Sequence, residues 1–508
     1  MKKIIALVLA LLMLIPVTGL TAGAAEKTAW TIENPYADVD WESWQGYKTQ
    51  LHCHTTASDG YMTIKEAIAD YYALDYDIVA ITDHGTTNLG WNVAPELIPI
   101  AREVKKERTG GAKNPVIPLS EEEYAAYTGG TAESIEFSYI GEGGQRVYPG
   151  LKRTHLNGML DVEKGNELNF ATPVCDCHLT GYWTDYGQGL AGVYGDYETP
   201  SAGVNKDGGV TMLSHVGEYV YPDKDSADHV GQPVDEYFVN KFARIFLDNP
   251  GSSVGMGINS ATDAHTRCDR ILYDQILEKT IPNGVTPWGF SFSDSHNETS
   301  MNDAYTISYM PELSNAALRD CMVNGRFFAV SHYSNGVELN GMQEMEGYLD
   351  ENCGKVEWWK DNTPRVTKIE VDEEDGVIKV WGENFNYITW VSAGNVVLRD
   401  YDCEGGYAEL DLDRTDLLND VYMYVRFYIS GDNGICYAQP MTVRRDGEVF
   451  APVFVPATHD TSTFLRKLVT VLDWLCFKFN PVIWIFKKFA VGYDPVQQAF
   501  SSVKDLFG

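Results

Sequence analysis

From Thr49 to about Val330, short apolar runs alternate with segments of helical spacing. Leu51 to His54 reads as the end of a first strand. Thr63-Ile64-Lys65-Glu66 has the form of a capping box, and Ile64, Ala67, Ile68, Tyr71 and Tyr72 follow at helical intervals. Ile78 to Ile81 is a buried-strand run that stops at Thr82-Asp83-His84. Strand, helix, strand in this order predicts parallel pairing, because parallel neighbours need a crossover. The rhythm recurs in Val210 to Leu213, Val254 to Ile258 and Trp288 to Phe292. Phe238, Phe242, Ile245 and Phe246 predict a helix ended by Asn249-Pro250-Gly251, and Leu318 to Val323 predicts a last one stopped by Gly325.

The pattern changes in four places. Between about Lys105 and Tyr148 it is lost in a stretch rich in Gly, Glu and Ser, which reads as an insertion near the functional site, of the kind that forms lids. From Thr367 to about Val443 it becomes short alternating runs, among them Thr367 to Val371, Val377 to Trp381 and Val421 to Arg426. These predict a separate antiparallel β-sandwich over residues 365–446. Residues 460–508 form an apolar tail with Trp474, Trp484 and interspersed lysines. It suits an amphipathic helix pair on a membrane surface, or a helical hairpin packed on the other domains. Residues 1–25 combine Lys2 and Lys3, a short apolar stretch and Ala22-Gly23-Ala24, the form of a cleavable leader. The expected location is therefore secreted or extracytoplasmic.

Composition narrows this picture. The chain has 508 residues, 44% of them hydrophobic, enough for several domains with sizeable cores. A formal net charge of -33 repels nucleic-acid phosphates, so no nucleic-acid partner is expected. Nine cysteines show no compact disulfide framework, and Cys175-x-Cys177 reads as small residues in a strand.

The residues that follow the predicted strands carry the chemistry. His52 and His54 flank Cys53, so period-two alternation puts both imidazoles on one side of the strand, and Asp59 lies in the next loop. His84 ends the second strand, Glu167 sits in Gly165-Asn166-Glu167-Leu168, and His178 ends Val174 to His178. His215 ends its run, and Asp294 and His296 form Asp-x-His, again same-side by alternation. A histidine on an apolar face is usually structural. Six recurring at strand ends with three carboxylates would repel one another unless they held cations.

The ordered set Leu51-His52-Cys53-His54-Thr55 with Ser58-Asp59-Gly60, then Ile81-Thr82-Asp83-His84-Gly85, Gly165-Asn166-Glu167-Leu168, Cys177-His178-Leu179-Thr180-Gly181-Tyr182, Leu213-Ser214-His215 and Phe292-Ser293-Asp294-Ser295-His296 resembles the PHP (polymerase and histidinol phosphatase) superfamily over residues 47–335. The resemblance implies an α/β fold, a distorted (β/α)7 TIM-like barrel over residues 45–340, with two or three divalent ions (Zn, Mn or Fe) at its mouth. It implies that His52, His54, Glu167 and Asp294 hold a first ion. Glu167 would bridge to a second held by His178 and His215, and Asp59, His84 and His296 would hold a third. The implied activity is hydrolysis of a small phosphate mono- or diester by a metal-activated hydroxide. Asp83 is the candidate catalytic residue, orienting the nucleophile or a ligand imidazole, with capping of the turn after the strand as its other reading. Arg153, Arg267 and Arg270 are candidate phosphate clamps, and His155, His229 and His265 could line the mouth. Where the superfamily often has Glu or Asn before the last Asp-x-His, only Asn259 fits loosely. The same site could cut an amide, and a third reading is a surface protein with a vestigial barrel, anchored to membrane or cell wall by its sandwich and tail.

Overall fold

The computed structural model describes residues 29–95, 116–171, 176–186, 197–220, 233–260, 269–332, 362–403, 405–445 and 447–458. The expected leader and tail, the segment 105–115, Cys175, His229, His265 and Arg267 lie outside the described residues.

Up to Ser331 the strands are β1 (Trp30–Glu33), β2 (Gln45–Gln50), β3 (Ile78–Val79), β4 (Tyr139–Ile140), β5 (Arg146–Val147), β6 (Leu160–Asp161), β7 (Asn166–Ala171), β8 (Asp176–Tyr182), β9 (Val210–Leu213), β10 (Ser253–Ser260), β11 (Trp288–Phe292), β12 (Ala304–Met310) and β13 (Phe327–Ser331). Beyond them come β14 (Arg365–Asp372), β15 (Val377–Glu383), β16 (Tyr387–Ser392), β17 (Asn395–Asp400), β18 (Tyr407–Asp411), β19 (Tyr424–Gly431), β20 (Gly434–Tyr437) and β21 (Met441–Arg445). Helices and several sheets are thus mixed along the chain. The predicted helix after β2 is Ile64–Ala73, started by Thr63 and Glu66 in a reciprocal capping box.

Two groups of strands frame the candidate site. In one, β2, β3 and β6 pair in parallel. In the other, β9, β10 and β11 are parallel, but β7, β8 and β9 are antiparallel. The expected run of parallel strand–helix–strand units therefore fails at β7 and β8, which a short connection joins directly. Two isolated parallel bridges, Cys53 with Ser295 and His84 with Glu167, connect the groups. Inside lie Leu51, Ile78, Val210, Met212, Val254 and Phe290, in one apolar cluster with Leu318 and Met322 of helix Asn315–Asn324. Trp288, the first residue of β11, donates its indole N–H to the Val323 carbonyl at 2.9 Å. That helix therefore packs at the N-terminal ends of the strands and leaves their C-terminal ends to the donor residues.

The region after residue 362 is antiparallel, as expected, but it is not separate. β13 pairs with β12 on one side and with β20 on the other, so one sheet runs through both regions. β1 pairs with β21, Trp30 opposite Arg445. A single apolar cluster joins Ile64 and Tyr71 to Trp390 and Phe427. Helix Asp269–Thr280 is tied to β19 by a buried pair, in which Arg426 donates to both Asp274 carboxylate oxygens at 2.8 and 2.6 Å. The predicted strand from Val421 begins only at Tyr424, because Met423 adopts φ 68°.

The described part of the expected insertion is not a lid. Helix Glu121–Thr128 lays Tyr127 edge-on against Tyr72 at 5.1 Å, on the outer face of helix Ile64–Ala73. Arg153 donates to the Tyr76 carbonyl and to Asp77, and His155 Nδ1 lies 2.8 Å from Asp77. Asp77 precedes β3, whereas His84 follows it, so Arg153 and His155 sit at the far end from the donors.

Candidate metal centre

All nine candidate donors converge. Their atoms form four overlapping groups: His54, Asp59, His84 and His296; His52, His54 and Glu167; His52, His215 and Asp294; His84, Glu167 and His178. The partition differs from the implied one, in that His178 and His215 fall in separate groups. Glu167 lies at the middle. Its Oε1 is 2.7 Å from His178 Nδ1, its Oε2 is 2.6 Å from His84 Nδ1, and His52 and His54 Nε2 lie 3.4 and 3.3 Å away. Asp294 Oδ1 is 2.9 Å from His54 Nε2, and Asp59 Oδ2 is 3.3 Å from His84 Nε2.

The chain bends sharply to bring these groups together. His215 and Asp294 hold φ 29° and 49°, a region that side-chain-bearing residues seldom occupy and that marks backbone held by its surroundings. Asp294 and His296 thus meet the centre by a turn, not by strand alternation. In Ser58-Asp59-Gly60 the glycine is needed for space, since a Cβ there would lie 2.6 Å from the His54 carbonyl carbon. Likewise a Cβ on Gly165 would meet the Ile81 carbonyl oxygen at 2.4 Å, just ahead of Glu167.

Three imidazoles are oriented from behind. His52 Nδ1 lies 2.7 Å from Thr82 Oγ1. His296 Nδ1 lies 2.9 Å from the Asp294 carbonyl, which only accepts, so Nδ1 carries the proton. Ser58 donates to Asp83 Oδ1 at 2.6 Å, so its oxygen is left to accept from His54 Nδ1 at 3.2 Å. In His54 and His296 this puts the proton on Nδ1 and leaves Nε2 to face inward, the tautomer a cation requires. Asp83 also accepts from the Thr55 amide and hydroxyl at 2.8 and 2.7 Å. Its carboxylate is therefore occupied with the 55–58 loop and holds Ser58 against His54, the turn-capping and imidazole-orienting arrangement among the expected readings. Thr82 and Ser58 stood inside the quoted motifs, but nothing in their spacing marked them as supports.

Burial and charge oppose each other here. Burial by itself would raise Glu167, Asp59 and Asp294, yet the surrounding imidazoles hold all three below the usual carboxylate range. His52 and His178 are pushed down by burial, which keeps them neutral and able to coordinate. Burial also acts downward on His54 and His296, but the neighbouring carboxylates raise both. The donor set fits divalent cations. Among the described residues, His52 and His54 Nε2, His84 Nδ1, Glu167 Oε2, Asp59 Oδ1 and Asp294 Oδ1 are buried and meet no hydrogen-bonding partner outside the donor set. Groups so placed are costly unless something binds them. The His296 side chain is 33% exposed, against 0% for His52 and Glu167, so the centre opens on the His296 side.

Arg270 is buried outside this ring, donating to the Ile258 carbonyl at 3.4 Å and facing the Tyr437 ring. Asn259 is buried beside it on β10. Among the described residues the cysteines Cys53, Cys321, Cys403 and Cys436 are free and buried.

No family model and no curated protein matches the chain. Among solved structures it is similar to a two-domain protein from Bacteroides vulgatus described as containing a predicted PHP-like metal-dependent phosphoesterase, at 12% identity and a TM-score of 0.34, over 82% of this chain and 100% of that one. PsfC from Pseudomonas syringae aligns at 12% identity and a TM-score of 0.28, over 55% of this chain and 88% of that one. An amidohydrolase from Chromobacterium violaceum, with bound sulfate and no metal, aligns at 13% identity and a TM-score of 0.25, over 49% and 87%. Likenesses of this size carry no argument about chemistry, which rests on the nine side chains.

Proposed function

We propose that this chain is an exported metal-dependent hydrolase that cleaves a phosphate mono- or diester, with two or three divalent ions (Zn, Mn or Fe) on the nine donors. The strand circuit is read as a distorted PHP-type barrel, with the antiparallel region as a sandwich built onto it. The observation that carries the reading is the set of buried imidazole and carboxylate atoms that converge on one another and, among the described residues, on no other partner. Bound ions would supply acidification of a water and neutralisation of negative charge on phosphoryl oxygens.

The chain's own residues do the rest. Ser58 and the Asp294 carbonyl fix the tautomers of His54 and His296, and Thr82 holds the ring of His52. Glu167 turns Oε1 to His178 and His52 and Oε2 to His84 and His54, and it belongs to two of the donor groups, which suits a bridging ligand. Among the described residues no lysine or arginine pairs with Asp59, Glu167 or Asp294. Bound ions would therefore supply charge neutralisation beside these carboxylates.

Metal analysis of the purified protein should find at least two ions per chain, falling sharply in Glu167→Ala. A metal-free wild type sinks the enzyme reading altogether. Aryl phosphate mono- and diesters set against aryl amides decide the bond, and amide cleavage without phosphate release would move the protein to the amidohydrolase class. The proposed surface role of residues 460–508 is tested by liposome flotation with and without them, and equal flotation removes it.

A further inference from the structure

A cavity of about 440 Å³ lies between the first strand and the last, lined by none of the nine donors. That volume is within the roughly 300–1,000 Å³ common for small-molecule sites. We propose that it binds a neutral carbohydrate, a pyranose unit of a glycan, between the exposed ring of Tyr422 and a rim of free polar groups from Arg445, Asp420 and Glu448.

The aromatic face is prepared in advance. The Tyr422 side chain is part of a residue 51% exposed, yet it is not loose. Its amide donates to Ser392 Oγ at 2.8 Å, Ser392 donates back to its carbonyl at 2.9 Å, and its ring meets Phe450 edge-on at 6.1 Å. Met423, which also lines the cavity, holds φ 68°, a strained conformation of the kind kept at ligand clamps. An exposed ring on backbone held in this way offers the C–H face of a sugar a flat apolar surface.

The polar rim is held with most of its hydrogen-bonding capacity left over. The Arg445 guanidinium lies over the Trp30 ring at 5.5 Å, and Trp30 is anchored by its indole N–H on Asp413 at 3.1 Å. Among the described residues the Arg445 guanidinium makes no hydrogen bond or ion pair, and neither does the Asp420 carboxylate. Glu448 Oε2 accepts the Arg445 amide at 3.1 Å, which fixes this carboxylate and leaves its second oxygen free.

Charge selects the ligand class. Two carboxylates repel a phosphate or carboxylate ligand, and Arg445 repels a cation. Hydroxyl groups suit both signs, since they donate to carboxylates and accept from a guanidinium. Such charge-assisted bonds are about twice as strong as neutral ones.

The test uses the full chain and saturation-transfer NMR with chitotriose, cellotriose and maltotriose, alongside inorganic phosphate and choline. At least one trisaccharide should show transfer. Its affinity should fall tenfold or more in Tyr422→Ala and in Arg445→Met, where methionine still covers Trp30, with melting temperature and metal content unchanged. Asp420 is exposed, so Asp420→Ala reads the same loss if either of the others proves unstable. No transfer from any trisaccharide, tighter binding of phosphate or choline than of all three, or undiminished binding in the variants overturns the proposal. Metal content separates this result from a failure of the hydrolase reading.

Discussion

At the scale of single residues, the centre depends on supports as much as on donors. Thr82 reaches His52 and no other donor. Thr82→Val keeps the shape, removes the hydroxyl and frees the ring to turn. Metal affinity should fall roughly 10- to 100-fold, as for other supports of ligand histidines. Competition with a chelator measures it, and unchanged affinity would remove Thr82 from the site. A second residue sets a pH dependence. Asp303 is buried with nothing to offset the desolvation, which pushes its carboxyl up to about 8. The unfolded value is about 4. Folding therefore takes up a proton between these limits. The stability it confers is complete below pH 4 and is lost as pH rises through 8. Asp303→Asn should leave stability unchanged near pH 4 and raise it by about 1 kcal/mol or more at pH 9. Melting curves across that range check it, and a pH-independent difference refutes the assignment.

At the scale of elements, what could be read from sequence followed the local contrast between apolar and polar positions. Val210–Leu213 and Trp288–Phe292 agree with the predicted runs because the first is buried throughout and the second everywhere but at Trp288. The helix at Ile64 was legible from its capping box and its five apolar positions. β7, Asn166-Glu167-Leu168-Asn169-Phe170-Ala171, was not, because a strand that turns polar groups towards a donor cluster loses the apolar signature of a core strand. Its antiparallel pairing with β8 was hidden for the same reason. The site itself was more legible than the fold around it. All nine donors sit in compact motifs whose glycines and turns are dictated locally, as Gly60 shows. Their supports were not, since a threonine or serine in a turn has a sufficient local role already.

For the whole molecule, the boundary expected near residue 365 disappears in a shared sheet and a shared core. The change from one pattern of alternation to another marks a change of strand direction, not a place where contacts cease. The Asp274–Arg426 pair shows how strongly the regions are joined, because both side chains are only 2% exposed. Asp274→Ala would leave a buried guanidinium without its carboxylate and should cost about 3–5 kcal/mol. Denaturant unfolding should show one transition shifted to lower concentration. Two separated transitions would mean that the regions unfold independently.

The pairing of β1 with β21 bears on how the chain reaches this state. Trp30 is made about 400 residues before Arg445, its partner in the sheet. At roughly 5–20 residues per second, the first strand waits on the order of half a minute for the last. During that interval Trp30 and Ile32, which end up buried, have no sheet to join. For a chain delivered across a membrane from its N-terminus, the earliest strand to arrive is among the last to be seated. On the export proposed above, guarding this short segment through transit would fall to the export apparatus, and the rate at which the C-terminal strands are delivered would set how long it must be guarded.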